Sequence, residues 1–292
     1  MKGQLLQNEP LARHTSWRVG GPADRYYEPA DREDLSNFVR TLPAHEPILW
    51  VGLGSNLLVR DGGWRGTVIA LHGALEKLER SGENEIRAEA GVHCARLAKF
   101  SVTEKLAGGG FFAGIPGTVG GALAMNDGAH GGETWNVTEA VEVMFRDGRC
   151  EWLPKSRFKY GYRHVEWPEG MVGFIAARFR FATDVDGSAE KDMKTWLAKR
   201  KATQPVGKPS AGSTFRNPPG DHAARLIEAC GLKGHRIGGA EVSKLHANFI
   251  LTNDVATAAD VEALIDHVQN VVQEKKGVEL QKEVKIVGER NA

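Results

Sequence analysis

The stretch Gly114-Ile115-Pro116-Gly117-Thr118-Val119-Gly120-Gly121-Ala122 holds four glycines and no charged residue. A phosphate can still be held in such a segment, by successive backbone N–H groups aimed into a concavity. Glycine permits positive φ and lets a ligand approach without a Cβ clash. Thr118 adds one hydroxyl. The segment Gly52-Leu53-Gly54-Ser55-Asn56 repeats the design directly after Ile48-Leu49-Trp50-Val51, an apolar run that reads as a buried strand. Two such loops suit a diphosphate better than a single phosphate. The plain alternative is a pair of tight turns packed on their neighbours.

Composition supports the emphasis on backbone. Thirty-five of 292 residues are glycine, and ten of them fall between Gly108 and Gly132, where an average chain carries about 7% glycine. Lysine and arginine total 38 against 37 acidic residues, a net charge of +1. No global field therefore draws the chain to nucleic acid or an anionic membrane. With 26% charged and 41% hydrophobic residues, the chain is globular rather than disordered. Its length suggests two or three domains.

Several familiar readings fail. Gly52-x-Gly54-x-x-Leu57 lacks the third glycine of a dinucleotide fingerprint, and Gly108-x-Gly110-x-x-Ala113 follows a helical pattern where a strand is required. No P-loop and no HExxH occurs, and no metal site is expected from ligand spacing. Cys94, Cys150 and Cys230 form no CxxC pair, as befits thiols of a reducing cytoplasm. Met1 to Pro10 has no apolar run of signal-peptide length. Leu106 to Asn126 is uncharged over 21 positions, but its seven glycines and Pro116 argue against a membrane span.

The rest of the chain reads as mixed α and β. Strands are expected at 67–71, 85–90 and 172–181. A hairpin is expected at 140–145 and 150–153 around Asp147-Gly148. Helices are expected at 93–106, 188–202 and 223–230, the last begun by Asp221 or His222 and closed by Gly231. A further strand is expected at 248–252. Thr257 opens the clearest helix, with Val261, Leu264, Ile265, Val268, Val271 and Val272 on one stripe and Gly277 at its end. Residues 278–287 are expected to return as a strand.

Eight segments in order then carry a resemblance over about residues 13–288. They are Arg18-Val19-Gly20-Gly21-Pro22-Ala23, Gly52 to Leu58, Gly114 to Ala122, Met125 to Ala129, Tyr160-Gly161-Tyr162-Arg163, Gly212 to Pro218, His246 to Ile250 and Glu283 to Ile286. Together they resemble the UDP-N-acetylenolpyruvoylglucosamine reductase (MurB) family, a flavoenzyme family of peptidoglycan precursor synthesis. The resemblance implies an α+β FAD-binding fold of the vanillyl-alcohol oxidase/PCMH type with two α+β subdomains, and a C-terminal α+β substrate-binding domain. The expected segments are 1–70 (with 281–292 packing back), 71–185 and 186–280. Only 50 positions separate Arg163 from Ser213, which resembles the shorter subtype without the extra substrate-covering loop.

The implied chemistry uses noncovalent FAD and NADPH. Hydride passes from NADPH to flavin N5 and then to the vinyl carbon of the enolpyruvyl ether. By resemblance, Ser213 supplies the proton, Arg163 binds the substrate carboxylate as its charge grows, and Glu283 acts on the other side of the enol. Asn217 is a substrate contact, and Lys244 and His246 are candidates to line the nucleotide site. The cofactor residues would be Val51, Gly52, Gly54, Ser55, Asn56, Leu57, Gly114, Ile115, Pro116, Gly117, Thr118, Gly120 and Gly121. Partners are the small-molecule substrate and NADPH, with no nucleic acid and no membrane insertion; a monomer is compatible with this. Asp127 and His130 depart from the family's usual alanine and tyrosine, and Lys282 stands where proline is common, so contacts there are open. The rivals are an oxidase of the same superfold, which would abstract a proton rather than donate one, and a catalytically silent flavin or nucleotide binder.

Overall fold

The computed structural model describes residues 1–291. The chain forms two compact units. One comprises Met1–Leu6, Arg25–Leu53 and Gly66–Lys199; the other comprises Gln7–Asp24, Gly54–Arg65 and the chain from Arg200 onward. These boundaries cross the segments drawn from sequence. Residues 7–24 and 54–65 belong with the C-terminal region, and most of the 189–203 helix belongs with the first unit.

The first unit is organised by a five-stranded antiparallel sheet in the order Cys150–Pro154, Thr138–Phe145, Met171–Arg180, Glu85–Glu89 and Leu78–Gly82. The Asp147-Gly148 hairpin forms, and Gly148 has φ +77°. Successive strand side chains face opposite ways, and both faces are covered. Val143 and Phe174 join a cluster with Val92, Leu97, Phe112, Leu123 and Trp135. Their neighbours Met144 and Ile175 join Leu35, Phe38 and Val39 of the Arg32–Thr41 helix. Ile48–Val51 pairs in parallel with Thr67–Ala70. Only Val51 of that strand is fully buried, so the expected buried strand is half-exposed along most of its length.

Asp34 ties the first residues of the chain to that helix. Its carboxylate accepts from the Tyr27 hydroxyl at 2.5 Å and from the N–H groups of Lys2, Gly3 and Ala30. Burial alone would raise its pKa, but these four donors hold it at about 2.

The uncharged stretch does not form one helix. It divides into a short strand at Leu106–Ala107, a tight turn at Gly110–Gly114 and the helix Val119–Met125. The preceding helix is shorter than expected, Cys94–Thr103, because Lys105 takes φ +56° and turns the chain. Among the described residues no helix is long and apolar enough to cross a membrane.

The second unit packs the helices Ala223–Ala229 and Ala258–Lys276 against the small sheet of Arg236–Ile237, Ala240–Val242 and Ile250–Thr252. Thr257 and Asp260 form a reciprocal capping box, and Gly277 ends the long helix at φ +69°. The Asp61 carboxylate also accepts from the N–H groups of Ala258 and Ala259. Trp17 is fully buried, and its indole N–H donates to the Ile250 carbonyl at 2.8 Å. The expected long strand at 278–287 reduces to Lys285–Val287, paired in parallel with Leu57–Val59. Upstream, the chain instead bonds singly to residues 214–216.

Candidate active site

Two glycine-bearing turns of the first unit approach until no side chain fits between them. A Cβ on Gly52 would lie 2.4 Å from the Thr118 hydroxyl oxygen. These residues and Val51, Gly120 and Gly121 line a cleft with about 410 Å³ of empty space, part of it open to solvent. The cleft is also lined by Trp50, Leu71, Ala90, Ala124, Trp167 and Phe174, none of them singled out from sequence. The Trp50 indole N–H is buried and meets no acceptor among the described residues. An unsatisfied buried donor is costly, so a cleft presenting one beside two bare-backbone turns fits a ligand with acceptor atoms. Trp50 was hidden in the sequence because an indole inside an apolar strand reads as core.

The run of N–H groups expected along the 114–122 segment is narrower than its glycines suggested. The Val119 N–H donates to Val92 O and the Gly120 N–H to Ala90 O, each at 2.8 Å. Those bonds anchor the turn to the chain that leaves the Glu85–Glu89 strand. The Gly121 N–H reaches only the Thr118 hydroxyl, at 3.5 Å, and a Cβ there would meet nothing nearer than that oxygen at 3.8 Å. The open part of the cradle is therefore at Gly52, Thr118 and Gly121. Gly114, Ile115, Pro116 and Gly117 do not line the cleft; a Cβ on Gly114 would strike Ala129, and Ile115 is core.

The second half of the other loop lies in the second unit and has structural work there. Gly54 takes φ +59°, and a Cβ on it would lie 2.1 Å from the His14 carbonyl oxygen. Asn56 donates from Nδ2 to the Glu283 carbonyl at 3.2 Å, and its own carbonyl accepts from the Lys285 N–H. Ser55 is half-buried and Leu57 buried.

Arg163 stands at the turn of the Lys159–Gly161 and His164–Glu166 hairpin with φ +55°. Its guanidinium lies 2.9 Å from Asp127 Oδ1 and donates to the carbonyls of Asn126 and Gly128. Asn126 is fully buried with φ +48°, and its amide bonds Glu133, Gly161 and the Trp135 N–H. A rigid polar turn thus carries the arginine. His130 stacks on Trp196 with centroids 5.2 Å apart and planes 6° apart.

In the second unit, Ser213 follows Gly212, which has φ +70°. The buried Asn248 clamps the next residues, accepting from the Phe215 N–H at 2.9 Å and donating to the Phe215 carbonyl at 2.8 Å. The Glu283 N–H donates to Thr214 O at 2.9 Å, so the strands of backbone bearing Ser213 and Glu283 run side by side. Both side chains are half-buried. Asn217 is exposed, and its side-chain oxygen accepts from the Ala223 N–H at the start of a helix, which orients the side chain and leaves its amide nitrogen outward for a substrate. Burial, and then the Lys233 charge, push the His246 pKa below its usual value, and the ring packs edge-on to Phe249. Lys244 is exposed.

Residues 23–154 match a family model described as an FAD binding domain, and residues 204–287 match the C-terminal domain of UDP-N-acetylenolpyruvoylglucosamine reductase. A reductase of that name from Methylococcus capsulatus is 54% identical over 291 residues, spanning 100% of this chain and 95% of the relative. One from Coxiella burnetii is 52% identical over 307 residues, spanning 99% and 97%. The crystal structure of UDP-N-acetylenolpyruvylglucosamine reductase from Thermus caldophilus superposes with a TM-score of 0.83 at 33% identity, covering 98% of this chain and 99% of that one.

Proposed function

The chain belongs to the UDP-N-acetylenolpyruvoylglucosamine reductase family, and from that premise we propose which of its residues perform the reaction. It is an FAD-dependent oxidoreductase of peptidoglycan precursor synthesis that converts UDP-N-acetylglucosamine enolpyruvate to UDP-N-acetylmuramate. Bound at the glycine cradle, FAD would supply the hydride chemistry that links NADPH to the substrate's vinyl carbon.

The approach of Gly52 to Thr118 is the observation that carries the cofactor assignment. We assign the FAD pyrophosphate to Gly52, Thr118 and Gly121, with Val51 and Gly120 beside them and Trp50 offering its indole N–H. Of the other loop residues expected at the cofactor, 114–117 lead into the turn that carries Thr118, while Gly54 to Leu57 lie in the second unit, where Gly54 packs on His14 and Asn56 bonds Glu283. The Cys94 thiol is wholly buried and pushed well above its usual range by burial, and His14 is engaged by Glu9 at 3.0 Å; neither suits a covalent flavin link.

Arg163 is the residue to receive the substrate carboxylate, because its planar fork matches a carboxylate gaining charge. Ser213 donates the proton: an alcohol is a weak acid, but an enolate is basic enough to take its proton when geometry is right. Glu283 serves the other side of the enol, and Asn217 contacts the substrate through its amide nitrogen. We place the enzyme in the cytoplasm, where NADPH is at hand and its three cysteines stay thiols. A monomer suffices for these roles.

The test is a two-stage colour experiment. The purified protein is yellow, NADPH bleaches it without air, and the enolpyruvyl substrate restores the colour. Bleaching with no recovery on substrate, but recovery with oxygen, would favour an oxidase; no bound flavin would leave a silent binder.

A further inference from the structure

At one corner of the first unit, the chain leaving the Trp64–Ala70 strand and the start of the Cys94–Thr103 helix bring two imidazoles and a carboxylate together. His93 Nε2 lies 3.3 Å from His72 Nδ1, which in turn lies 3.4 Å from Glu76 Oε1. All three ligand atoms fall within 4.8 Å of one another. Sequence spacing hides this cluster, because two strands, Leu78–Gly82 and Glu85–Glu89, separate His93 from the other two residues.

We propose that His72, Glu76 and His93 bind a zinc-class divalent ion. An ion held at ~2.0–2.1 Å from tetrahedral nitrogen and oxygen ligands separates them by about 3.3–3.4 Å, which matches both observed distances. Two imidazoles and one carboxylate are the donor set of a borderline transition ion rather than of calcium or magnesium, which take oxygen ligands. The carboxylate is already oriented: the Gly73 N–H donates to Oε1 at 2.8 Å, and Arg96 lies 3.8 Å from Oε2, leaving Oε1 toward the imidazoles. Outer contacts of this kind fix ligands in metal sites. His72 is half-exposed, so solvent supplies the fourth position and gives the ion entry.

The site adjoins the cleft through backbone. The N–H of Cys94, next to His93, donates to Gly117 O, and the Val119 N–H donates to Val92 O. A bound ion would therefore brace the segment that carries Thr118.

The test uses the flavin-loaded protein, stripped with a chelator and desalted, then titrated with zinc chloride by calorimetry. One saturable equivalent is expected, with magnesium giving none. His72→Ala and His93→Ala are each expected to weaken zinc at least tenfold, while His45→Ala, at an exposed position, leaves it unchanged. His72→Ala alters an exposed turn, so its circular dichroism should equal wild type. No saturable binding by the wild-type protein, or zinc affinity untouched by both ligand substitutions, would overturn the proposal.

Discussion

Asp127 Oδ1 lies 2.9 Å from the guanidinium of Arg163, and both side chains are largely shielded, at 25% and 14% exposure. Two backbone carbonyls grip the same guanidinium from Asn126 and Gly128. The arginine that resemblance assigns to the substrate carboxylate is thus already partnered by a carboxylate of the chain itself.

Removing that partner should favour the substrate. In Asp127→Ala the carbonyls still orient Arg163, but the competing negative charge is gone; such a charge at ~4 Å is worth up to about 4 kcal/mol near a protein surface. The KM for the enolpyruvyl substrate is expected to fall about three- to tenfold with kcat little changed. Steady-state kinetics at saturating NADPH decides. A collapse of kcat at unchanged KM would instead make Asp127 the group that aims the arginine.

Ser213→Ala should separate the two halves of turnover. Bleaching by NADPH should keep its rate, while recovery of colour on the enolpyruvyl substrate slows by at least a hundredfold, the usual scale for loss of a positioned acid. Stopped-flow absorbance resolves both phases. A recovery rate equal to wild type would remove Ser213 as the proton donor.

Asp34 sets an acid limit on stability. Its folded pKa of about 2 lies below the unfolded value of ~3.9. Its contribution is therefore complete above the unfolded value and fades as pH falls from about 4 toward 2. Linkage puts that contribution at roughly 2 kcal/mol. Asp34→Asn should lower unfolding free energy by about that amount at pH 7, with the gap to wild type closing at pH 3. Urea titrations at both pH values check it; an equal gap at both would show that the charge is not what matters.

Much of the fold was legible where local chemistry and packing agree. Thr257 and Gly277 marked the long helix because its end residues and an apolar stripe point the same way. The Asp147-Gly148 hairpin was legible for the same reason. The strand expected over 278–287 shortened because its first residues pair singly with 214–216, a choice made by partners more than sixty positions away. The Val119 and Gly120 amides could not be foreseen as spent, since their acceptors, Val92 and Ala90, lie in the turn that follows the Glu85–Glu89 strand. Ser213, Arg163 and Glu283 were singled out by family resemblance and not by local pattern. The roles of Trp50 and of the Asp127–Arg163 pair are set by tertiary structure, because each depends on which residue stands opposite.

The cradle is tested most directly at Gly121. A methyl there meets no atom closer than the Thr118 hydroxyl oxygen at 3.8 Å, so Gly121→Ala should fold as well as wild type, or better by up to ~1 kcal/mol, since alanine is the stronger helix former. The methyl would nonetheless stand at the part of the cleft assigned to the FAD pyrophosphate. Titrating flavin-free protein with FAD should show affinity at least tenfold weaker, with an undiminished melting temperature before FAD is added. An FAD affinity equal to wild type would contradict the account.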